Sequence, residues 1–139
     1  MPQTKQPESQ SVQDFLKAVY ELQGSHERVL TNTLAGALAI TAPSVTDMAA
    51  RLCTAGLLDY QKQRGVKLTE AGEQIARNVI YRHQMIERFL IEQLGYDETE
   101  AHQEAECMEH AVSDKFVQAL ASHLPDPDRE LKTDHSSRT

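Results

Sequence analysis

The chain has 139 residues and a formal net charge of −7 at pH 7, which suits one domain, or two small ones sharing a core, and argues against indiscriminate binding to nucleic acids. Cys53 and Cys107 lack the spacing of a zinc finger or a disulfide scaffold, so we interpret them as cytosolic thiols. Because no segment has the apolar pattern of a membrane span or a signal peptide, we expect a cytoplasmic protein with no membrane partner.

Acidic residues are concentrated in the C-terminal half of the chain. Residues 26–70 carry five bases and four acids, whereas residues 71–139 carry seven bases and fourteen acids. The near-neutral middle section is able to meet DNA phosphates, and the acidic half is suited to cations.

The two ends of the chain are polar, unlike the segments between them. Residues 1–10 and 125–139 have no apolar period, and we expect a disordered arm and a disordered tail. An apolar stripe at helical spacing first appears over residues 12–23, which predicts a helix capped by Ser11.

Two short helices joined by a tight turn follow. Residues 31–40 are rich in Ala and Leu and are predicted to start at a Thr or Asn cap. Pro43 is predicted to take the first position of the next helix, which Gly56 ends. This pattern is typical of a helix-turn-helix, although an ordinary helical hairpin fits it equally well by itself.

The next segment favours the DNA-binding interpretation. Two short extended runs, residues 57–60 and 66–68, flank a basic tip that contains Gly65, which is typical of a hairpin and, after a helix-turn-helix, of a wing. Basic wing residues would contact phosphates, and the second helix would read bases. The candidate DNA-contacting residues are Thr41, Pro43, Ser44, Thr46, Asp47, Arg51, Lys62, Arg64 and Lys67. Asp47 repels phosphate and can at best accept a hydrogen bond from a cytosine amine.

Three amphipathic helices are predicted after the wing: from a Thr69 cap to Gly95, from Asp97 to about His110, and from a Ser113 cap to His123. Together they have more apolar surface than a small winged unit can cover. We therefore expect a homodimer whose interface uses Ile86, Phe89, Leu90, Leu94 and Phe116.

The second of these helices contains four potential metal ligands at helical spacing, namely His102, Glu106, Glu109 and His110. His83 and Glu87 have the same spacing on the preceding helix and would close the cluster. Imidazole and carboxylate groups suit a divalent metal such as Mn²⁺. A solvated acidic surface has the same spacing, but the interleaved apolar residues indicate that part of this face lies against protein, where carboxylates need partners.

The order of these parts resembles the metal-dependent transcriptional repressors of the diphtheria-toxin-repressor and manganese-transport-regulator type. The resemblance covers roughly residues 11–124, and its most specific motifs are Tyr81–Leu90 and His102–His110. It implies a mainly α-helical fold. Residues 11–74 would form an N-terminal winged helix-turn-helix with a two-stranded wing, and residues 75–124 an α-helical metal-binding and dimerisation domain. The chain is similar to the short form, without the extra C-terminal β-domain of longer members.

By position, the resemblance implies a metal held by Asp14, Glu106, Glu109 and His110, with His83 nearby. It also implies an ancillary site formed by His83, Glu87 and His102. Where Asp14 and Glu106 stand, iron-type members have sulfur ligands and manganese-type members have carboxylates. Because oxygen ligands suit Mn²⁺, the resemblance favours Mn²⁺ over Fe²⁺ as the cofactor.

Lys17 departs from the manganese-type pattern. It stands where those members carry a second carboxylate on the first helix, and an ammonium group does not ligate metal. Two arrangements stay open. Either one metal binds at the Asp14 site, with Lys17 as a counter-charge, or a second metal binds at the ancillary site.

Together with these features, the resemblance implies a metal-activated, homodimeric transcriptional regulator that binds a double-stranded palindromic operator and represses metal-uptake genes. We assign no catalytic residue and expect no small organic substrate, because the chain has no Gly-rich substrate loop or nucleophile motif. The alternatives are a winged-helix regulator that responds to a non-metal signal and a metallohydrolase that uses the His/Glu cluster.

Overall fold

The computed structural model describes residues 9–24 and 27–124. The predicted tail, and the predicted arm up to residue 8, lie outside the described residues. The chain forms two compact units, one ending at Ile80 and the other beginning at Tyr81. Among the described residues, no helix is long and apolar enough to cross a membrane.

The fold is mainly α-helical, with one antiparallel pair of strands. The first unit contains α1 (Gln10–Gln23), α2 (Thr31–Leu38), α3 (Ala42–Thr54), β1 (Leu58–Gln61), β2 (Gly65–Leu68) and the start of α4 (Glu70–Leu94). The second unit contains the rest of α4 together with α5 (Glu98–Met108) and α6 (Asp114–Ser122). This is the predicted fold class: a winged helix-turn-helix followed by a helical unit.

Three predicted helix starts are wrong by one or two residues. Ser9, not Ser11, caps α1, because the Ser9 hydroxyl accepts a hydrogen bond from the Val12 backbone. At α2, Leu30 occupies the cap position without a side-chain hydrogen bond, so the predicted Thr or Asn cap is absent. At α3, Thr41 is the cap and Ala42 the first helical residue, which moves Pro43 to the second position.

The wing is held to the chain before α2 as well as to its own strands. In the strand register Asp59 lies opposite Lys67 and Gln61 opposite Gly65. Val29 and Val66 exchange two backbone hydrogen bonds of 2.8 Å, so the chain is still extended when it reaches Leu30. Leu30 therefore takes the cap position, and its apolar side chain has no oxygen to accept a hydrogen bond.

An apolar core fills the first unit. Its largest fully buried side chains are those of Phe15, Leu16, Val19, Leu34, Val45 and Val66. These residues come from α1, α2, α3 and β2. The core therefore fixes the wing and α3, which we call the recognition helix, against α1. Gly72 of α4 lies so close to this layer that a Cβ atom there would be 2.1 Å from the Leu57 carbonyl oxygen.

The second unit has its own core between α4, α5 and α6. Ile86 and Leu90 are 1% and 5% exposed and pack against Ala101, Ala105 and Leu120. The prediction that Ile86 and Leu90 belong to a dimer interface is therefore wrong, because their side chains are already covered within the unit. Leu94 and Phe116 remain 58% and 42% exposed, as an interface requires.

Candidate metal centre and DNA-binding surface

Two histidines from different helices lie close together in the second unit. His83 of α4 and His102 of α5 have ring centroids 4.8 Å apart, and His83 Nε2 is 3.1 Å from His102 Nδ1. Glu87 lies one turn along α4, with its Oε1 atom 3.5 Å from His83 Nε2 and its Oε2 atom 3.5 Å from His102 Nδ1. Two imidazole nitrogens and one carboxylate therefore face a common point, as in a metal-binding group.

Glu106 approaches His102 from the other side. One of its carboxylate oxygens is 3.5 Å from His102 Nε2. Ligand atoms of His83, His102 and Glu106 all lie within 4.8 Å of one another, whereas donor atoms bound to one ion at about 2.0–2.3 Å lie within roughly 4.6 Å. A small adjustment of side chains is enough for these residues to hold a divalent cation, so the group fits a metal.

Glu109 is the most deeply buried charged residue of this unit, with 0% exposure. Its Oε1 atom is 2.6 Å from His83 Nδ1, and its Oε2 atom is 3.2 Å from His110 Nε2. A carboxylate away from water needs positive or hydrogen-bonding partners, and here it has an imidazole on each side. His83 thus touches both groups: Glu109 through Nδ1, and His102 with Glu87 through Nε2.

The predicted helix to about His110 is slightly too long. The α5 helix ends at Met108, with Glu109 at the C-cap. His110 lies in the turn that follows, where Ala111 and Val112 donate backbone hydrogen bonds to the Met108 carbonyl. The helix ends here because Ser113 adopts an extended conformation and caps α6. We call residues 109–113 the ligand turn.

Sequence reasoning missed Arg82. This residue is 3% exposed and its guanidinium donates hydrogen bonds to the backbone carbonyls of Glu109 and Val112, at 3.1 and 3.2 Å. It also pairs with Asp114 at 2.8 Å. A signal was available, because position 82 lies one turn from both Val79 and Ile86 in the buried stripe of α4, where a charged residue is unusual.

The remaining proposed ligand, Asp14, lies in the first unit. It is half-buried on α1, and Lys17 is half-buried one turn further along the same helix. Cys107, which is not among the proposed ligands, is exposed. His123 is also exposed and interacts with the Ala119 carbonyl at 3.0 Å.

Eight of the nine predicted DNA-contacting residues are exposed, and Lys67 is half-buried on β2. Lys62 and Arg64 stand at the wing tip. The Thr41 hydroxyl accepts a hydrogen bond from the Ser44 backbone and therefore stabilises the start of α3 as well as facing solvent. The basic residues of this surface are thus accessible to a polyanion.

The recognition helix shares a groove with α1. This groove has a volume of about 360 Å³ and is lined by Ser44, Asp47 and Arg51 from α3 and by Asp14 from α1. Asp47 and Asp14 therefore line the same groove. A group that binds Asp14 would lie next to side chains assigned to base recognition.

Comparison with known proteins assigns both halves of the chain. Residues 9–66 match the N-terminal DNA binding domain of iron dependent repressors, and residues 69–136 match their metal binding and dimerisation domain. The chain belongs to the iron-dependent repressor family. It is therefore a metal-dependent, DNA-binding transcriptional repressor with a divalent-metal-binding dimerisation domain, and not an enzyme.

Similar proteins have regulatory names. An uncharacterized HTH-type transcriptional regulator from Methanocaldococcus jannaschii is 38% identical over 113 residues, which is 81% of this chain and 90% of that protein. The MntR regulator of Lysinibacillus sphaericus is 32% identical over 111 residues, 80% and 79% of the two chains. MntR of Bacillus subtilis is 34% identical over 103 residues, 74% and 72%.

Solved structures of similar proteins include several manganese regulators. A manganese-dependent transcriptional repressor in complex with manganese is 34% identical with a TM-score of 0.72, covering 81% of this repressor and 51% of that chain. The manganese regulator SloR is 37% identical with a TM-score of 0.68, covering 81% and 52%. The repressor thus spans about half the length of these structures, although it spans most of the curated MntR proteins.

Proposed function

We propose that this repressor is activated by Mn²⁺ in preference to Fe²⁺, binds a palindromic operator as a homodimer and represses metal-uptake genes. The observation that carries the proposal is the buried Glu109 carboxylate between two imidazoles, beside the group of His83, His102 and Glu106. Glu109 and His83 are buried, whereas His102 and Glu106 are exposed. Acidic and imidazole groups clustered in this way are suited to a cation, and a buried carboxylate is costly without positive or hydrogen-bonding partners.

Two sets of residues would hold metal. One comprises Glu106, Glu109 and His110, together with Asp14, which the resemblance assigns to the same ion. The other comprises His83, Glu87 and His102. Lys17 leaves the number of metals per subunit at one or two, since it supplies a positive charge where a carboxylate would serve a second ion beside Asp14. When bound, the metal supplies positive charge that offsets the clustered carboxylates.

The oxygen-rich ligand set supports Mn²⁺. No thiolate or thioether is among the proposed ligands, and Cys107 is exposed outside them. Carboxylate oxygen suits Mn²⁺, whereas sulfur ligands select softer metals. Because Mn²⁺ is the weakest binder in the Irving–Williams order, cellular availability must contribute to selectivity. The solved structures of similar proteins that are described as manganese regulators support the same metal.

The proposed coupling of metal binding to DNA binding follows from the positions of the ligands in the chain. Asp14 is on α1 and lines the groove of the recognition helix, while the other ligands are in the dimerisation unit. Without metal, the clustered carboxylates repel one another, and the two winged units of a dimer would sample several spacings. When they are held together, the two recognition helices of a dimer would keep the spacing of one DNA turn, about 34 Å. The coupling free energy between metal binding and DNA binding is typically about 1–3 kcal/mol for such a system.

An anaerobic capture experiment tests this proposal. The full chain is incubated with fragmented genomic DNA of its host at fixed salt, with Mn²⁺, with Fe²⁺ or with chelator, because phosphate contacts make affinity salt-dependent. We expect a palindromic sequence to be enriched with Mn²⁺, less with Fe²⁺, and not with chelator. Equal enrichment with chelator would contradict metal activation and favour a regulator of a non-metal signal.

A further inference from the structure

Arg82 is a buried cation that does not belong to the proposed ligand set. It lies on α4 beside His83 and is 3% exposed. Its contacts are directed to the ligand turn and to the start of α6: two backbone carbonyls through Nη1 and the Asp114 carboxylate through Nη2. A buried charge is tolerated only when it is paired and hydrogen-bonded. These three contacts pair the charge through Nη1 and Nη2, while Nε has no hydrogen-bond partner among the described residues.

The two carbonyls lie between α5 and α6: Glu109 is the C-cap of α5, and Val112 directly precedes Ser113, the cap of α6. The last carbonyls of any helix have no partner further along the same helix. Here Ser113 turns away to cap α6, so the Glu109 carbonyl accepts from Arg82 at 3.1 Å and the Val112 carbonyl at 3.2 Å. A planar guanidinium with several fixed N–H groups suits such a set of acceptors better than a lysine ammonium does.

Consecutive residues of α4 therefore hold Glu109 at both ends. Arg82 binds its backbone carbonyl, and His83 binds its carboxylate at 2.6 Å. The Asp114 pair fixes the guanidinium in turn, at 2.8 Å. The backbone of the ligand turn and the direction of the Glu109 side chain are thus set by the same stretch of α4.

We propose that Arg82 is a positioning residue of the metal centre: it fixes the ligand turn so that Glu109 and His110 present their donor atoms together to a divalent cation. This inference rests on the proposed metal-binding function. It makes metal affinity depend on a side chain that itself carries no lone pair for a metal. Ligand groups held in place by neighbouring hydrogen bonds bind metal typically 10–100-fold more tightly than unsupported ones.

The test measures Mn²⁺ affinity of the full chain from the electron paramagnetic resonance signal of free Mn²⁺. We expect Arg82→Gln to weaken binding at least tenfold and Arg82→Lys to weaken it less, because lysine retains the charge but not the fork of donors. The matched control is Arg88→Gln, on the same helix, where the arginine pairs at 3.3 Å with the exposed Glu92 one turn further along α4. It should bind Mn²⁺ as the unmodified chain does.

Two further measurements separate positioning from general stability. Each metal-free variant is melted by circular dichroism, and affinity is measured only at temperatures where it is folded. The visible spectrum of bound Co²⁺ reports ligand geometry, and we expect it to change in Arg82→Lys. If Arg82→Gln does not fold, Arg82→Lys decides: a twofold or smaller change in affinity with an unchanged Co²⁺ spectrum would overturn the proposal.

Glu109→Gln distinguishes this inference from the proposed function. If Glu109→Gln binds Mn²⁺ like the unmodified chain, the metal centre does not include Glu109 and both proposals fail. If Glu109→Gln loses binding while both folded Arg82 variants keep it within twofold, the metal function stands and the role of Arg82 is overturned.

Discussion

Glu109 shows how one residue can serve two groups of ligands. Its carboxylate is out of contact with water and lies between His83 and His110. Because a carboxylate can only accept hydrogen bonds when ionised, its 2.6 Å contact makes His83 Nδ1 the donor. His83 Nε2 then faces His102 and Glu87 as the available ligand atom. A histidine oriented by a carboxylate in this way is a common support for metal binding.

This double contact predicts that His83 affects every proposed metal. We expect His83→Gln to weaken Mn²⁺ binding by at least tenfold, since the variant lacks the imidazole that faces both groups. His123→Gln is the matched control, because His123 is exposed on the last turn of α6 and interacts only locally with Ala119 and Ser122. Isothermal titration with Mn²⁺ gives both affinity and stoichiometry. Equal binding by the two variants would exclude His83 from the metal centre.

At this scale the sequence predicts proximity better than burial. Helical spacing was enough to predict that His83 and Glu87 share one helix face and that His102 and Glu106 share another, because residues one turn apart are neighbours on a helix. That the two faces meet was implied by the family resemblance. The 0% exposure of Glu109 and the role of Arg82 were not predictable in this way. Both depend on the residue at which α5 ends and on the direction in which α6 begins. Packing between helices that are distant in sequence decides these two features.

Among the secondary-structure elements, the wing depends most on close backbone contacts. Arg28 donates hydrogen bonds to the carbonyls of Asp59 and Gly65, each at 3.1 Å, and pairs with the Asp59 carboxylate. Gly65 has φ +101°, and a Cβ atom there would be 2.3 Å from the Val29 carbonyl oxygen. The basic residues of the wing tip therefore lie on a hairpin that is fixed on one side by the chain before α2.

We predict that Gly65→Ala destabilises the repressor by about 2–3 kcal/mol, because alanine meets both an unfavourable φ and a backbone clash. Gly36→Ala is the matched control: Gly36 is helical in α2, with open space around its Cβ position, so the same change should stabilise by about 0.5–1 kcal/mol. Urea unfolding of metal-free protein measures both. A Gly65→Ala variant as stable as the unmodified chain would show that the wing can be displaced from Val29 without cost.

Helix and strand positions were largely predictable from apolar period, glycine and proline, because these signals are local. The cap of α2 was not, since the pairing of Val29 with Val66 keeps the chain extended up to Leu30. The buried positions of Ile86 and Leu90 were also missed. An apolar stripe gives the side of a helix that needs covering, but it does not say whether the cover comes from the same chain or from a partner.

At the scale of the whole molecule, charge is divided between two functions. Residues 71–139 carry fourteen of the 21 acids, and the wing and recognition helix carry accessible bases. Negative charge therefore accompanies the candidate metal centre and positive charge the DNA-binding surface. In a chain with a net charge of −7, general attraction to DNA is weak, so affinity must come from a few well-placed phosphate contacts.

Lys62 and Arg64 are expected to make two of those contacts. The double change Lys62→Ala and Arg64→Ala should weaken binding to operator and unrelated DNA alike, because phosphate contacts do not read sequence. It should also reduce the slope of log affinity against log salt by about 2, roughly 0.9 for each lost contact. Lys115→Ala, an exposed lysine on α6, is the control and should leave the slope unchanged. Fluorescence anisotropy with Mn²⁺ present measures the slope, and a value equal to that of the unmodified repressor would place the wing tip away from the phosphates.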